Sequence, residues 1–248
     1  MKRFFFLGMF VIISLILFPK NLDARAGGGG SYSSVSISSS SGSSGSSSGG
    51  EGFLAFIAGF ISLFIGGAGG VALGKSIEKK NAKALILLDK IDETDEIWNY
   101  RTIKERMENI FFNVQMAWTK RDQDIAKEYM SNKIYKKHKM QTDRLIENKL
   151  INKLERVNLI STKIIGIFDD EENDKDSLKA VINGGMIDFM YDEENNKIIA
   201  GSDKDYEEFS ELWTFIRKDD NWVLDNIEQS VESRSVKNTK IFSHLLEV

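Results

Sequence analysis

Residues 53–74, FLAFIAGFISLFIGGAGGVALG, carry no charged side chain and match the roughly 20-residue apolar run that a helix needs to cross the hydrocarbon core of a bilayer. The run is read as a membrane-spanning helix, and it divides the chain. The residues before it are export signal and spacer; those after it are charged, patterned and numerous enough to fold. Gly66, Gly70 and Gly74 recur at a spacing of four, which places them on one helical face where another backbone can approach closely. Glycine is also common in membrane helices without any such role, so the spacing predicts a packing face without requiring one.

The first 52 residues contain little that can build a core. Lys2 and Arg3 precede the apolar residues 4–18, then Pro19 and Ala24-Arg25-Ala26. That is the layout of a secretory signal peptide with a cleavage point after Ala26; uncleaved, the same run is a first membrane helix. Residues 27–52 are nearly all glycine and serine and bury too little apolar surface to offset their ordering entropy, so a flexible spacer is expected. The flanks of the apolar run differ in charge. Glu51 stands before it, and Lys75, Lys79, Lys80 and Lys83 stand after it, which by the positive-inside tendency leaves the C-terminal part in the cytoplasm. Read instead as solvated charges at a helix end, these lysines leave the domain exported.

With 248 residues, a net charge of −4 and no cysteine, the chain has no disulfide framework, thiolate metal site or cysteine nucleophile. Residues 75–248 suffice for one domain. Its charge is uneven: residues 103–163 hold 14 Lys/Arg against 8 Asp/Glu, and residues 164–248 hold 9 against 21. The acidic balance and the absence of a binding motif speak against a nucleic-acid partner.

Residues 75–98 are amphipathic, with Ala84, Leu87, Leu88 and Ile91 among charges, and form a connecting helix that lies on the bilayer or packs on the domain. Thr102 with Glu105 fits a capping box. Ile103, Met107, Ile110, Phe111, Val114 and Trp118 then recur at helical spacing. Lys120-Arg121-Asp122 ends that helix, a short helix runs to Met130, and Ser131-Asn132 caps a third from Lys133 to about Lys149. Beyond Leu150, residues 157–168, 178–191, 209–217 and 222–227 are rich in β-branched and aromatic types and read as four strands. Asp219-Asp220-Asn221 closes a hairpin, and Gly184-Gly185 predicts a bulge. The expected fold is α+β, with three helices on a curled antiparallel four-stranded sheet over residues 99–230 and a tail at 231–248.

Several of these segments have a recognisable wording. Asp95-Glu96-Ile97-Trp98, residues 111–118 (FFNVQMAW), Thr119-Lys120-Arg121-Asp122, Tyr129-Met130-Ser131, Gly201-Ser202 and residues 211–217 (ELWTFIR) with Trp222-Val223-Leu224 resemble the C-terminal-domain family of translocase-of-the-inner-membrane subunit 44, over roughly residues 93–229. The resemblance implies a cone-shaped fold like nuclear transport factor 2 with an apolar pocket, and it implies no reaction and no cofactor. It also implies a membrane-associated scaffold with a protein partner and anionic lipid contacts, here in a bacterial inner membrane. The chain lacks the long N-terminal chaperone-binding region of the mitochondrial form, so chaperone recruitment does not carry over.

Residue type singles out the candidate sites. Lys133, Lys136, Lys137 and Lys139 concentrate positive charge on the third helix and suit an anionic-lipid surface, at about 1 kcal/mol per lysine near the membrane. An ordinary charged helix face has the same composition. His138, Trp213, Phe215 and Trp222 are candidates to line the pocket, and each is equally at home in a core. His138 with Asp188 or Tyr191 is the one set resembling acid–base machinery. No metal site is expected, because the acidic residues 169–176 (DDEENDKD) lack the glycine and terminal glutamate of a calcium loop.

Overall fold

The structure is a computed structural model and describes residues 69–246. The signal at 1–26, the spacer at 27–52, residues 53–68 of the apolar run and, with them, Gly66 lie outside the described residues. The elements in order are α1 (Gly69–Asp92), a 3-10 turn (Glu96–Trp98), α2 (Tyr100–Lys120), a 3-10 helix (Gln123–Tyr129), α3 (Asn132–Glu147), β1 (Leu150–Asp169), a 3-10 turn (Asn173–Lys175), β2 (Ser177–Asp192), β3 (Lys197–Lys218), β4 (Asn221–Glu228), α4 (Ser233–Asn238), β5 (Ile241–Ser243) and a closing 3-10 turn (His244–Leu246).

The last residues of the apolar run and the connecting segment form one continuous helix, α1. Among the described residues no helix is long and apolar enough to cross a membrane. Ala84, Leu87, Leu88 and Ile91 recur every three or four residues and are buried, so α1 turns an apolar stripe inward. Asn81 Nδ2 donates to the Ile164 carbonyl at 3.0 Å, and Glu78 pairs with Lys163. Of the two expectations for the connecting helix, packing on the domain is the one realised. Gly70 and Gly74 have open space where a Cβ would stand, so the domain itself does not occupy that face.

The start of α2 differs from the sequence expectation. Its cap is Asn99, whose Oδ1 accepts from the Thr102 N–H at 3.2 Å, so the helix begins at Tyr100 and Thr102 lies inside it. Asparagine caps as well as threonine, and nothing in the local pattern ranks the two. The end is as expected: Arg121 adopts the left-handed conformation at φ 52°. Its guanidinium holds Glu193 bidentately at 2.7 and 3.0 Å and donates to the Leu150 carbonyl at 2.8 Å, tying the turn to the β2–β3 hairpin. Ser131 caps α3 as expected, its Oγ accepting from the Ile134 N–H at 3.3 Å.

The sheet has five strands in the order β4-β3-β2-β1-β5. The first four are antiparallel neighbours, and β5 pairs with β1 in parallel, which makes the expected antiparallel four-stranded sheet a mixed sheet of five. The segment expected as a tail supplies the difference. Val236 and Ser243 are buried, and Ile167 N–H donates to Lys240 O at 3.1 Å. Three residues are too few for strand alternation to show in the sequence.

The curl is built by bulges at the position Gly184 and Gly185 mark, but the extra residues lie on β1 opposite them and not in β2 itself. The β1–β2 register shifts between Glu155 and Asn158, where Arg156 has φ 52°. Gly184 and Gly185, opposite it, keep β2 in register with Phe209 and Glu208 of β3. Their missing side chains make room instead: a Cβ on Gly184 would lie 2.6 Å from Phe209 Cζ. A second irregularity sets residues 202–205 of β3 outside the ladder, since Ile187 pairs with Tyr206 and Phe189 with Gly201. Gly201 has φ +72°, and a Cβ there would collide with the Asp188 carbonyl.

Candidate binding site

The concave face of the sheet is occupied by aromatic packing. Trp213, Phe215 and Trp222 belong to the buried core. The Trp213 ring centroid lies 5.8 Å from that of Phe111 on α2 and 6.1 Å from that of Phe215. Trp222 meets Trp98 edge-on at 4.9 Å and donates through Nε1 to the Ile97 carbonyl at 3.0 Å. Two of the segments that carried the resemblance, at 95–98 and 211–224, therefore meet in space. Arg217 completes the junction by donating to Asp95 at 2.5 Å and to Asp176 at 3.2 Å. Burial pushes the Asp176 carboxyl above the usual range despite its hydrogen bonds to Arg217 and to the backbone of Asp170.

His138 is fully buried on the inner side of α3, with its ring edge-on to Trp118 at 5.4 Å between centroids. Burial, helped by the Lys137 charge, lowers its pKa to about 3. It is neutral at every physiological pH and is not poised to exchange a proton near pH 7. Asp188, a candidate carboxylate partner for it, is linked to it among the described residues through Trp118, whose Nε1 donates to Asn152 at 2.7 Å, and through Asn152, which donates to Asp188 at 2.6 Å. Tyr191 lies under Lys153, at 4.5 Å, and donates to Asn196 at 3.3 Å. Side-chain atoms of His138, Gln115 and Gln141 are buried with no hydrogen-bond partner among the described residues.

The four lysines of α3 do not present four free charges. Lys133 is bound to Asp225 at 2.6 Å, where Asp225 also accepts from Ser131. Lys139 is bound to Asp143 at 3.1 Å, which raises its pKa. Lys137 is half-buried, and burial with the nearby Lys133 lowers its pKa. Lys136 alone among them is exposed without an ion pair among the described residues.

A second basic surface lies on α1. Lys75, Lys79 and Lys83 succeed one another at helical spacing and are exposed, and none forms an ion pair with a described residue. With Lys80, Ser76, Thr239 and Ile241, Lys79 and Lys83 line an open groove of about 440 Å³ between α1 and the chain leading into β5. Lys80 reaches across it to the carbonyls of Lys237, at 3.3 Å, and Thr239, and burial with the Lys83 charge lowers its pKa. The lysine spacing was visible in the sequence. The opposite wall, made by residues expected as a tail, was not. A groove with three lysines, two hydroxyls and no carboxylate is suited to an anion.

A curled sheet with helices on its concave face, an aromatic interior and its free charges outside defines a binding domain of the α+β half-barrel kind. The family model of the Tim44-like domain matches residues 86–229, more than half of the chain, and the chain belongs to that family. Tim44-like domains are binding modules that mediate protein–protein and membrane interactions in association with protein translocation. No curated protein matches the sequence. Among solved structures, the intermembrane space region of chloroplast protein ARC6 is similar at 11% identity, covering 52% of this chain and 97% of that one with a TM-score of 0.37.

Proposed function

We propose that this chain is a membrane-tethered binding domain of a bacterial inner membrane, serving protein translocation or membrane-protein handling, with its domain in the cytoplasm. The observation that carries the reading is the course of α1. The helix leaves the apolar run at residue 74 and displays Lys75, Lys79 and Lys83 over the next turns. At 1.5 Å per residue Lys79 stands roughly 8 Å beyond the run, within reach of the headgroup layer, where each lysine contributes about 1 kcal/mol toward anionic lipid. Tethering keeps such weak contacts at high effective concentration. The anion surface thus belongs to α1 rather than to α3.

Affinity capture of the tagged full-length protein from membranes, against a control lacking residues 53–74, tests the reading. Enrichment of translocation or membrane components is expected only with the full chain, and equal yields from both would count against it. Reporters fused after Val248 test the placement: a cytoplasmic fluorophore should be bright and a periplasmic phosphatase silent.

The alternative, a small-molecule or lipid-binding module using the interior of the cone, has one observation in its favour: the unpartnered polar atoms of Gln115, His138 and Gln141. Native mass spectrometry of the detergent-exchanged protein decides it, since a retained ligand is required by that reading and not by the first.

A further inference from the structure

The groove between α1 and the chain leading into β5 joins two segments of very different sequence position, with Lys80 and Thr239 standing 159 residues apart. Ser76, Lys79, Lys80 and Lys83 recur every three or four residues and so share one face of α1. Thr239 and Ile241 form the opposite wall, and the space enclosed is about 440 Å³. All six residues lie outside residues 86–229, the stretch matched by the family model, so the groove belongs to what flanks the shared domain. A small second core of Ile165, Val181, Leu212 and Val236, with Leu73 and Ile77 packed against it, holds α4 to the start of α1. Lys80 ties the two walls together, donating to the carbonyls of Lys237, at 3.3 Å, and Thr239.

The remaining donors of the groove are uncommitted. Lys79 and Lys83 form no ion pair, and the Ser76 hydroxyl no hydrogen bond, with a described residue. Thr239 Oγ1 is committed to the Ser235 carbonyl, to which it donates at 2.8 Å. Glu78, the one carboxylate between residues 75 and 83, is paired with Lys163. Two ammonium groups four residues apart and a hydroxyl one turn before them thus line a space with no competing carboxylate, an arrangement that complements the oxygens of a phosphate. Ligand pockets begin at about 300 Å³, so the groove has room for the alcohol part of a phosphate ester against Ile241.

We propose that Ser76, Lys79 and Lys83 form a discrete site for the phosphate group of a phosphate ester, closed on its far side by Thr239 and Ile241. The inference rests on the reading of α1 as an anion surface and names the group that the surface holds, one bound phosphate in place of diffuse attraction. A phospholipid headgroup and a soluble phosphate ester carry the same group, and the two arms of the test separate them.

The test uses the full-length protein, with K75A as the comparison, because Lys75 is exposed on α1 without lining the groove. In neutral-detergent micelles, calorimetry should show binding of glycerol 3-phosphate and none of glycerol. S76A, K79A and K83A should each weaken that binding about fivefold or more, since each removes a donor to the phosphate, and K75A should leave it unchanged. In nanodiscs, phosphatidylglycerol should slow acetylation of Lys79 and Lys83 relative to phosphatidylcholine, whose choline offsets its phosphate. S76A, which alters no charge, should reduce that slowing while leaving the slowing at Lys75 intact. An effect of S76A in both arms supports the shared phosphate; an effect in the nanodiscs alone assigns a lipid headgroup, and in the micelles alone a soluble ester. An S76A protein indistinguishable from the unmodified one in both arms, or K75A losing as much glycerol 3-phosphate binding as K79A, would overturn the proposal. If Lys75, Lys79 and Lys83 are then still slowed together by phosphatidylglycerol, the site is removed and the proposed function stands.

Discussion

Helices α1 and α3 carry almost the same charge in the sequence and very different charge in the fold. Each places four lysines within nine residues. On α3, two of the four are held by Asp225 and Asp143 and a third is half-buried. On α1, Lys75, Lys79 and Lys83 stand exposed and unpaired among the described residues, and Lys80 closes one wall of the groove. The lesson is that a basic run measures potential for anion binding, and the fold decides how much of it is left to bind with. The helix with the more clustered lysines is the one whose charge is already consumed.

The largest expected effect lies on the inward side of α3. His138 has an ordinary value of 6.5 and is held at about 3 by burial. The unfolded chain takes up a proton as pH falls below 6.5 and the folded protein does not, so the stability contributed by neutral His138 is full above 6.5 and declines toward 3. At about 1.4 kcal/mol per unit, roughly 3 kcal/mol is lost between pH 6.5 and 4. Urea midpoints of H138F should fall correspondingly less over that interval than those of the unmodified protein. Equal slopes would place His138 in contact with solvent and undo the division of α3 into a dry side and a charged one.

On α1, K79A/K83A should weaken the association of the domain with anionic lipid by about 2 kcal/mol, or roughly thirtyfold, without altering its thermal midpoint. The measurement is the salt concentration needed to displace the domain from phosphatidylglycerol nanodiscs carrying the full chain. K80A differs in kind. It removes the contacts to Lys237 and Thr239, and should loosen the α4–β5 segment, seen as faster amide exchange at Ile167 and Ser243.

The smallest effect is the most discriminating. D225N releases Lys133 and should give α3 about 1 kcal/mol of new attraction to anionic lipid, near fivefold, at a cost in stability of no more than about 1 kcal/mol.

The helices and the apolar stretches of four strands were legible because their cause is local, whereas β1 begins at Leu150 and β3 at Lys197, seven and twelve residues before the starts expected at 157 and 209. The spacing of Ile103, Met107, Ile110, Phe111, Val114 and Trp118 is a burial pattern in its own right, and Asp219, at φ 53° in the β3–β4 turn, stands in a run of turn residues. The cap at Asn99 was missed because two adequate caps lie three residues apart. β5 was missed because it exists only through β1. The state of the lysines was invisible for a related reason: Lys133 finds its carboxylate 92 residues away, and Arg217 finds Asp95 at a separation of 122. Local pattern reports which face of an element is wet; it does not report what comes to meet that face.

Lysine footprinting of the full-length protein decides most directly between α1 and α3. The chain is reconstituted into nanodiscs of phosphatidylcholine alone or with phosphatidylglycerol, acetylated briefly, and read residue by residue by mass spectrometry. Lys75, Lys79 and Lys83 should react more slowly in the anionic nanodiscs while Lys136 is unchanged. Slowing at Lys133, Lys136 and Lys139 with no change on α1 would contradict the account.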